Sequence, residues 1–312
     1  MKKAIVTGAN GFVGAAVTSE LLQHGWEVFA VVRNESSDLF RLSAAKSNLH
    51  VIYSEMSNYK SLTTDMLNIG KLDLFYHFAW EGCSGSKRSD PSCQMANIEH
   101  SLDAIRLCSD IRCKRFVMAC SIMEYEVIHT GFSGKPLTNN SIYSSAKLAA
   151  DLMGKALADS LGIEYLRGII SNIYGPGETN PRFINTTIKK MLSGEYCVFT
   201  SGKQMYDFIY ISDAARAFYY LGIEGIRDKQ YYIGGVDNPK PLREFILELR
   251  DQIDKDIKVG LGQLPDSKES LDYHEFDIHA LEKDTRFVPK VSFKEGINRT
   301  IQYYKEKMNG II

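Results

Sequence analysis

Tyr143 and Lys147 stand four residues apart in Tyr143-Ser144-Ser145-Ala146-Lys147, at the start of a stretch with helical spacing. On a helix that spacing puts both side chains on one face, about 5–6 Å apart at Cβ. A free phenol ionises near pH 10, too high for proton transfer at neutrality, and a neighbouring ammonium favours the phenolate. Such a pair can take a proton from an alcohol or give one to a carbonyl, and the lysine can also reach a ribose. Ser121 closes the apolar run Phe116-Val117-Met118-Ala119-Cys120-Ser121. At the carboxyl end of a parallel strand its hydroxyl can bond a substrate oxygen beside the phenol. Taken singly, each feature has an ordinary alternative: a surface Tyr and Lys, or a serine that caps a helix.

The second chemical feature is Thr7-Gly8-Ala9-Asn10-Gly11-Phe12-Val13-Gly14, which follows an apolar run and opens a helical stretch. In that context Gly8 permits a tight turn, Gly11 lets the backbone approach a pyrophosphate, and Gly14 lets helix and sheet pack closely. The helix N-terminus then offers unpaired N–H groups to phosphate oxygens. The next strand ends in Val31-Val32-Arg33-Asn34, with no Asp or Glu for a ribose 2′-hydroxyl. Arg33 there suits a 2′-phosphate, which favours NADP(H) over NAD(H).

Elements must carry these groups to one place. Lys3–Thr7, Glu27–Val32, His50–Tyr53, Leu72–Phe78, Arg115–Ala119 and Glu164–Ile170 are apolar runs of strand length. Their few polar breaks suit strands covered on both faces, as in a parallel sheet. Gly14–Gln23, Gln94–Ser109 and Ser144–Leu161 carry helical spacing between them. The alternation predicts a doubly wound α/β Rossmann sheet with right-handed crossovers. Residues 1–175 would form the dinucleotide-binding domain. After the turn cluster Gly175-Pro176-Gly177 the pattern changes, and 176–312 reads mainly as a smaller α+β substrate lobe with helices at Pro181–Ser193 and Leu242–Ile253. Phe208–Ile211 and Tyr231–Ile233 are candidates to return to the main sheet, and Gly260–Tyr273 reads as loop or edge structure.

Composition excludes several classes. The 312 residues carry 37 Lys and Arg against 38 Asp and Glu, a net charge of −1. A sequence-independent nucleic-acid binder needs a basic surplus, so that partner is not expected. No apolar run reaches the roughly 18 residues of a membrane span, and the apolar start at Ala4-Ile5-Val6 stops at Thr7-Gly8, too soon for a signal peptide. The six cysteines show no CxxC pair and no zinc spacing with histidine. Reduced thiols, a cytoplasmic location and no metal are the expectation.

The combination resembles the extended short-chain dehydrogenase/reductase family, in its nucleotide-sugar epimerase, dehydratase and reductase branch. Beyond the glycine turn, Ser121 and the Tyr143/Lys147 pair, the resemblance rests on Phe75-Tyr76-His77-Phe78-Ala79, Asn97, Ser171-Asn172-Ile173-Tyr174-Gly175-Pro176-Gly177 and Tyr206-Asp207-Phe208 with the run to Asp213. Tyr231-Tyr232-Ile233-Gly234-Gly235 and Asp277 with Arg286-Phe287-Val288-Pro289 complete it. It implies catalysis by Ser121, Tyr143 and Lys147. It places Gly8, Gly11, Phe12, Val13, Arg33, Glu55, Met56, Phe78, Ala79 and Asn97 at the cofactor, together with Tyr143 and Lys147. Trp80, Ser121, Asn172, Arg182, Tyr206 and Arg286 would meet a nucleotide-sugar substrate. A homodimer through Gln94–Ser109 and Ser144–Leu161 follows from the same resemblance.

The departures from the family pattern bear on the reaction. Dehydratases of this branch carry an acid two residues after the catalytic hydroxyl. Met123 holds that position and Glu124 comes one step late, which disfavours a dehydratase. Tyr206 replaces the usual Arg before Asp-Phe, Glu55 replaces an Asp, and Trp80 replaces a smaller residue, so that its indole would narrow the sugar pocket. With Arg33, these features lead to an expected NADPH-dependent reductase of a 4-keto sugar. An NAD-dependent C4 epimerase is the alternative, and a non-catalytic dinucleotide sensor the reading from another class.

Overall fold

The computed structural model describes residues 1–42, 47–62, 70–132, 137–237, 239–266 and 271–310. The chain divides into two compact units, each held by its own contacts. The first comprises Met1–Ile170, Ala215–Tyr232 and His279–Phe287; the second comprises Ser171–Ala214, Ile233–Ile278 and Val288–Ile312.

In the first unit, strands β1 (Lys3–Thr7), β2 (Glu27–Val32), β3 (Leu49–Tyr53), β4 (Leu74–His77), β5 (Arg115–Ser121) and β6 (Glu164–Ile170) alternate with helices α1 (Phe12–Gln23), α2 (Pro91–Asp110), α3 (Met123–Phe132) and α4 (Ser141–Ser160). Together with Gln230–Ile233 they make a seven-stranded sheet in the order 230–233, β6, β5, β4, β1, β2, β3, with parallel pairing across β3, β2, β1, β4, β5 and β6. This is the doubly wound Rossmann arrangement. Strand order reverses between β1 and β4, and ligands of such sheets bind at the carboxyl ends of the strands at that point. Of the two later segments read as returning strands, Tyr231–Ile233 lies in this sheet. Phe208–Tyr210 instead pairs with Asn172–Tyr174 in the second unit.

Register shows why the runs became strands. Phe29, Ile5, Phe75, Phe116 and Tyr165 stand side by side across five strands. Phe75 stacks on Phe116 at 5.1 Å and Phe116 on Tyr165 at 5.8 Å. This face receives α2 and α4: a Cβ on Gly154 would lie 2.9 Å from the Tyr165 hydroxyl and 3.0 Å from Ile105. The opposite face carries Tyr76, whose hydroxyl donates to the Phe218 carbonyl at 3.2 Å. Phe218 belongs to the helix Ile211–Glu224. With both faces covered, the alternation of a half-solvated sheet is lost.

The second unit packs α-helices Phe183–Leu192, Leu242–Ile253 and Phe293–Met308 around Tyr174, Phe208, Phe245 and Phe293, with three short two-stranded sheets. Gly260–Tyr273, read as loop, begins at the end of the short strand Val259–Gly260, and 267–270 lie outside the described residues.

Candidate active site

The glycine turn has the geometry its spacing predicts. Gly8 has φ +65°, and a Cβ there would lie 2.7 Å from the Ala79 nitrogen. A Cβ on Gly14 would lie 2.3 Å from the Gly8 carbonyl oxygen, so the first turn of α1 packs directly on the loop. Gly11 is the N-cap of α1; no side chain caps this end, and no acidic residue sits in its first turn. The N–H groups of Phe12 and Val13 therefore carry the positive end of the helix, with no acidic residue of that turn to neutralise it. A dinucleotide pyrophosphate fits this cradle.

Beneath the turn, Thr7 Oγ1 lies 2.8 Å from His77 Nδ1, and His77 Nε2 lies 3.2 Å from Ser101 Oγ. Ser101 donates its proton to the Asn97 carbonyl at 2.8 Å. His77 Nε2 must then be the donor to Ser101, and Nδ1 the acceptor from Thr7. Burial pushes this imidazole down to about 3, so it stays neutral and structural. The chain of bonds ties the carboxyl ends of β1 and β4 to α2.

The segment after β4 is fixed by two buried amides of α2. Asn97 accepts from the Glu81 N–H at 2.9 Å and donates to the Glu81 carbonyl at 2.8 Å. Gln94 accepts from Trp80 Nε1 at 3.0 Å and donates to the carbonyls of Gly82 at 3.1 Å and Lys87 at 2.9 Å. Asn97, expected to line the cofactor, is fully buried and binds this loop.

The loop arrives over the tyrosine–lysine pair. Trp80 meets the Tyr143 ring edge-on, with centroids 6.0 Å apart. The Lys147 ammonium lies 3.7 Å from the indole centroid and donates to the Ala119 carbonyl at 3.0 Å. Tyr143 and Lys147 are both buried, and burial lowers the lysine's pKa against the raising influence of Glu124, Cys120, Cys83 and Asp151. Arg88 lies over the Tyr143 ring at 3.8 Å from its centroid. Arg88 carries no apolar periodicity or motif, and nothing in the sequence marks it. The indole thus packs against the tyrosine–lysine pair itself.

Ser121 closes β5 beside the start of α3. Its hydroxyl accepts from the Met123 N–H at 3.2 Å, while its own N–H donates to Glu124 at 2.8 Å. Ser121 and Glu124 thus tie the end of β5 to the start of α3, with the serine proton left for a further acceptor. Glu124 is buried and pushed up to about 8 by burial and by Asp151. Donor atoms of Cys120, Glu124 and Asp151 lie within 4.8 Å of one another, and Arg167 supplies the cation there, 3.2 Å from Asp151.

The remaining predicted residues have partners of their own. Arg33 is exposed and lies 3.9 Å from Glu81. Glu55 is exposed at the start of a 3-10 turn containing the half-buried Met56. Phe78 packs edge-on against Phe218 at 4.8 Å. Arg286 is held by Glu224, through its backbone N–H at 2.8 Å and through its guanidinium; its partners are not those of Tyr143. In the second unit, Asn172 donates to the Asp207 carbonyl at 2.9 Å, Arg182 is exposed at the N-cap of Phe183–Leu192, and Tyr206 stacks on Phe208 at 5.7 Å.

Residues 4–234 match the family described as NAD dependent epimerase/dehydratase. The chain belongs to the NAD-dependent epimerase/dehydratase family. It is an enzyme of the extended short-chain dehydrogenase/reductase type. A UDP-glucuronate 4-epimerase of Thermodesulfobacterium geofontis is 26% identical over 325 residues, covering 97% of this chain and 96% of the relative. A UDP-N-acetylglucosamine 4-epimerase of Methanobrevibacter ruminantium, solved with UDP-N-acetylmuramic acid, superposes with a TM-score of 0.80 at 22% identity, covering 98% of this chain and 99% of its own. A dTDP-glucose 4,6-dehydratase of Streptomyces venezuelae, solved with NAD, gives 0.79 at 23% identity, covering 99% and 98%. Both of these family members share the fold of this epimerase/dehydratase chain. Among its described residues, no helix is long and apolar enough to cross a membrane.

Proposed function

We propose that the protein is an NAD-dependent epimerase acting at C4 of a UDP- or dTDP-linked sugar. The observation that carries this reading is the acid–base set at the carboxyl end of β5. Tyr143, Lys147 and Ser121 are present, but the acid of a dehydratase is missing from its position after Ser121: Met123 stands there, and Glu124 is turned inward onto the Ser121 N–H. A dehydratase needs an acid facing the sugar, and this site offers an alcohol–ketone interconversion instead. The relatives that are epimerases support the same choice.

Bound NAD would supply a hydride acceptor that later becomes the donor; Gly8, Gly11 and the N–H groups of Phe12 and Val13 would hold its pyrophosphate. Tyr143 takes the proton of the sugar hydroxyl as its carbon is oxidised, and returns it when the ketone is reduced on the other face. Lys147 keeps the phenolate accessible by its charge, and Ser121 aligns the reacting oxygen through its free O–H. Because one proton leaves and one returns, Tyr143 ends each cycle as it began.

Arg33 favours a second reading. It is exposed, its approach to Glu81 is loose, and no acid stands in Val32-Arg33-Asn34. A 2′-phosphate would find that guanidinium, as an NADPH-dependent 4-keto-sugar reductase requires. The two readings separate cleanly. NAD⁺ released in stoichiometric amount on unfolding, with interconversion of two nucleotide sugars seen by NMR and no net NADPH consumption, is the expected result. Loss of NADPH absorbance with a 4-keto sugar would establish the reductase. In either case Tyr143→Phe should cut turnover by about 10²-fold or more while cofactor binding stays; undiminished turnover would remove Tyr143 as the proton carrier, and cofactor binding with no turnover in the parent would leave a sensor or scaffold role.

A further inference from the structure

We propose that Arg88 is a second cation that sets the acidity of Tyr143. This rests on the reading of Tyr143 as the group that moves the proton. The Arg88 guanidinium lies 3.8 Å from the centroid of the phenol ring, in direct contact with the ring face. Its seat is built. Arg88 donates to the Cys83 carbonyl at 3.0 Å through its side chain and to the Gly85 carbonyl at 3.2 Å through its backbone. Gly82, at φ +68°, packs so tightly on Lys87 that a Cβ would lie 2.7 Å from the Lys87 carbonyl oxygen, and Gln94 binds that same oxygen. Arg88 is therefore held by the backbone of a loop whose other end carries Trp80.

The charges nearby leave Arg88 uncompensated. Glu81 is the carboxylate of this loop, and Lys87 holds it at 2.5 Å with Arg33 at 3.9 Å. Among the described residues no carboxylate lies within salt-bridge distance of Arg88. Lys147, the partner expected from sequence, faces the indole and the Ala119 carbonyl, and burial weakens its hold on its proton. A cation over an aromatic face attracts the neutral ring through its quadrupole and the phenolate through a full charge, so it favours ionisation. The titratable and charged groups around the pair include Lys147 on the same helix, Arg88 and Cys83 on the loop, His77 on β4, Cys120 on β5, Glu124 on α3, Asp151 farther along α4 and Arg167 on β6. Of the cations in this set, Arg88 lies on the ring face of the phenol, Lys147 lies against the indole, and Arg167 is paired with Asp151.

Tyrosinate absorbance, recorded against pH for the full protein and for its Tyr143→Phe variant, isolates the phenol without any substrate. Arg88→Gln keeps hydrogen bonding and bulk but removes charge; it should move the Tyr143 midpoint up by about one unit or more. Arg88→Lys restores charge and should return it most of the way. The shift should persist in a Glu124→Gln background, and the matching limb of the kcat profile should move with it. An unmoved midpoint in Arg88→Gln, an equal shift in Arg88→Lys, or loss of the shift in the Glu124→Gln background would each overturn the proposal. These titrations are independent of turnover. If Tyr143→Phe stays fully active, the functional reading falls, whatever Arg88 does to the phenol.

Discussion

Glu124 carries a pH-dependent consequence for stability. Its carboxyl is pushed up to about 8 by burial and by the neighbouring Asp151. The unfolded chain releases the same proton near the ordinary carboxylate value. Below that value the folded and unfolded states both hold the proton. Between it and about 8 only the folded state does, so unfolding sheds a proton and stability falls as pH rises through this window. Glu124→Gln keeps an acceptor for the Ser121 N–H and removes the titration. Denaturant unfolding should show the variant gaining on the parent as pH rises from about 5, by on the order of 2–4 kcal/mol at pH 8. Parallel stability curves for the two proteins across that range would contradict this. The sequence displayed Glu124 only as an acid out of register with a dehydratase. That it turns inward onto the Ser121 N–H depends on the start of α3, where the apolar pattern of β5 has already ended. Tyr143 and Lys147 were legible because their chemistry lies in a spacing of four along one helix. Arg88 was not, because its place over the phenol depends on a loop path, which leaves no periodic mark.

Among the elements, the segment from Trp80 to Ser89 decides how the acid–base pair is enclosed, and α2 decides how that segment lies. The helix was legible from its apolar spacing over Gln94–Ser109 but begins three residues earlier. Asp90 accepts from the Ser92 N–H at 3.0 Å, and Pro91 takes the first helical position, a start signal that apolar periodicity passes over. Gln94 sits in that first stretch. A polar residue so near a helix start reads as solvated, yet it is buried and joins Trp80 Nε1 to two loop carbonyls. Gln94→Leu strands those groups. It should cost about 1–3 kcal/mol for each group left without a partner and without water. Trp26 is buried elsewhere, so the fluorescence change reports on Trp80, the other indole of the chain. The variant's emission should move to longer wavelength as the ring gains water, with turnover falling alongside. Unchanged emission would mean that the loop holds its shape without this amide.

At the scale of the whole molecule, the Rossmann unit was legible because its strands are buried on both faces and its helices alternate with them at regular intervals. The second unit was legible only in its helices near 183–192 and 242–253. Its sheets are two-stranded and two or three residues long, too short to leave an alternation, and its core forms from aromatic residues far apart in the chain, such as Tyr174, Phe208 and Phe293. The Rossmann unit also leaves apolar surface on the two helices expected to form a dimer. Met95 on α2 and Leu152 and Met153 on α4 are each more than half exposed. Both helices belong to the face that covers the Phe75–Phe116–Tyr165 row, and α4 also carries Tyr143 and Lys147. Burying such a surface against its own two-fold copy would remove it from water without disturbing the inward side of either helix. Light scattering of the purified protein should give a mass twice 35.2 kDa. A Met95→Glu/Leu152→Glu double variant should give the single-chain mass with the circular dichroism of the parent, since both side chains face outward. A parent that scatters as a single chain, or a double variant that keeps the doubled mass, would remove these helices as the contact.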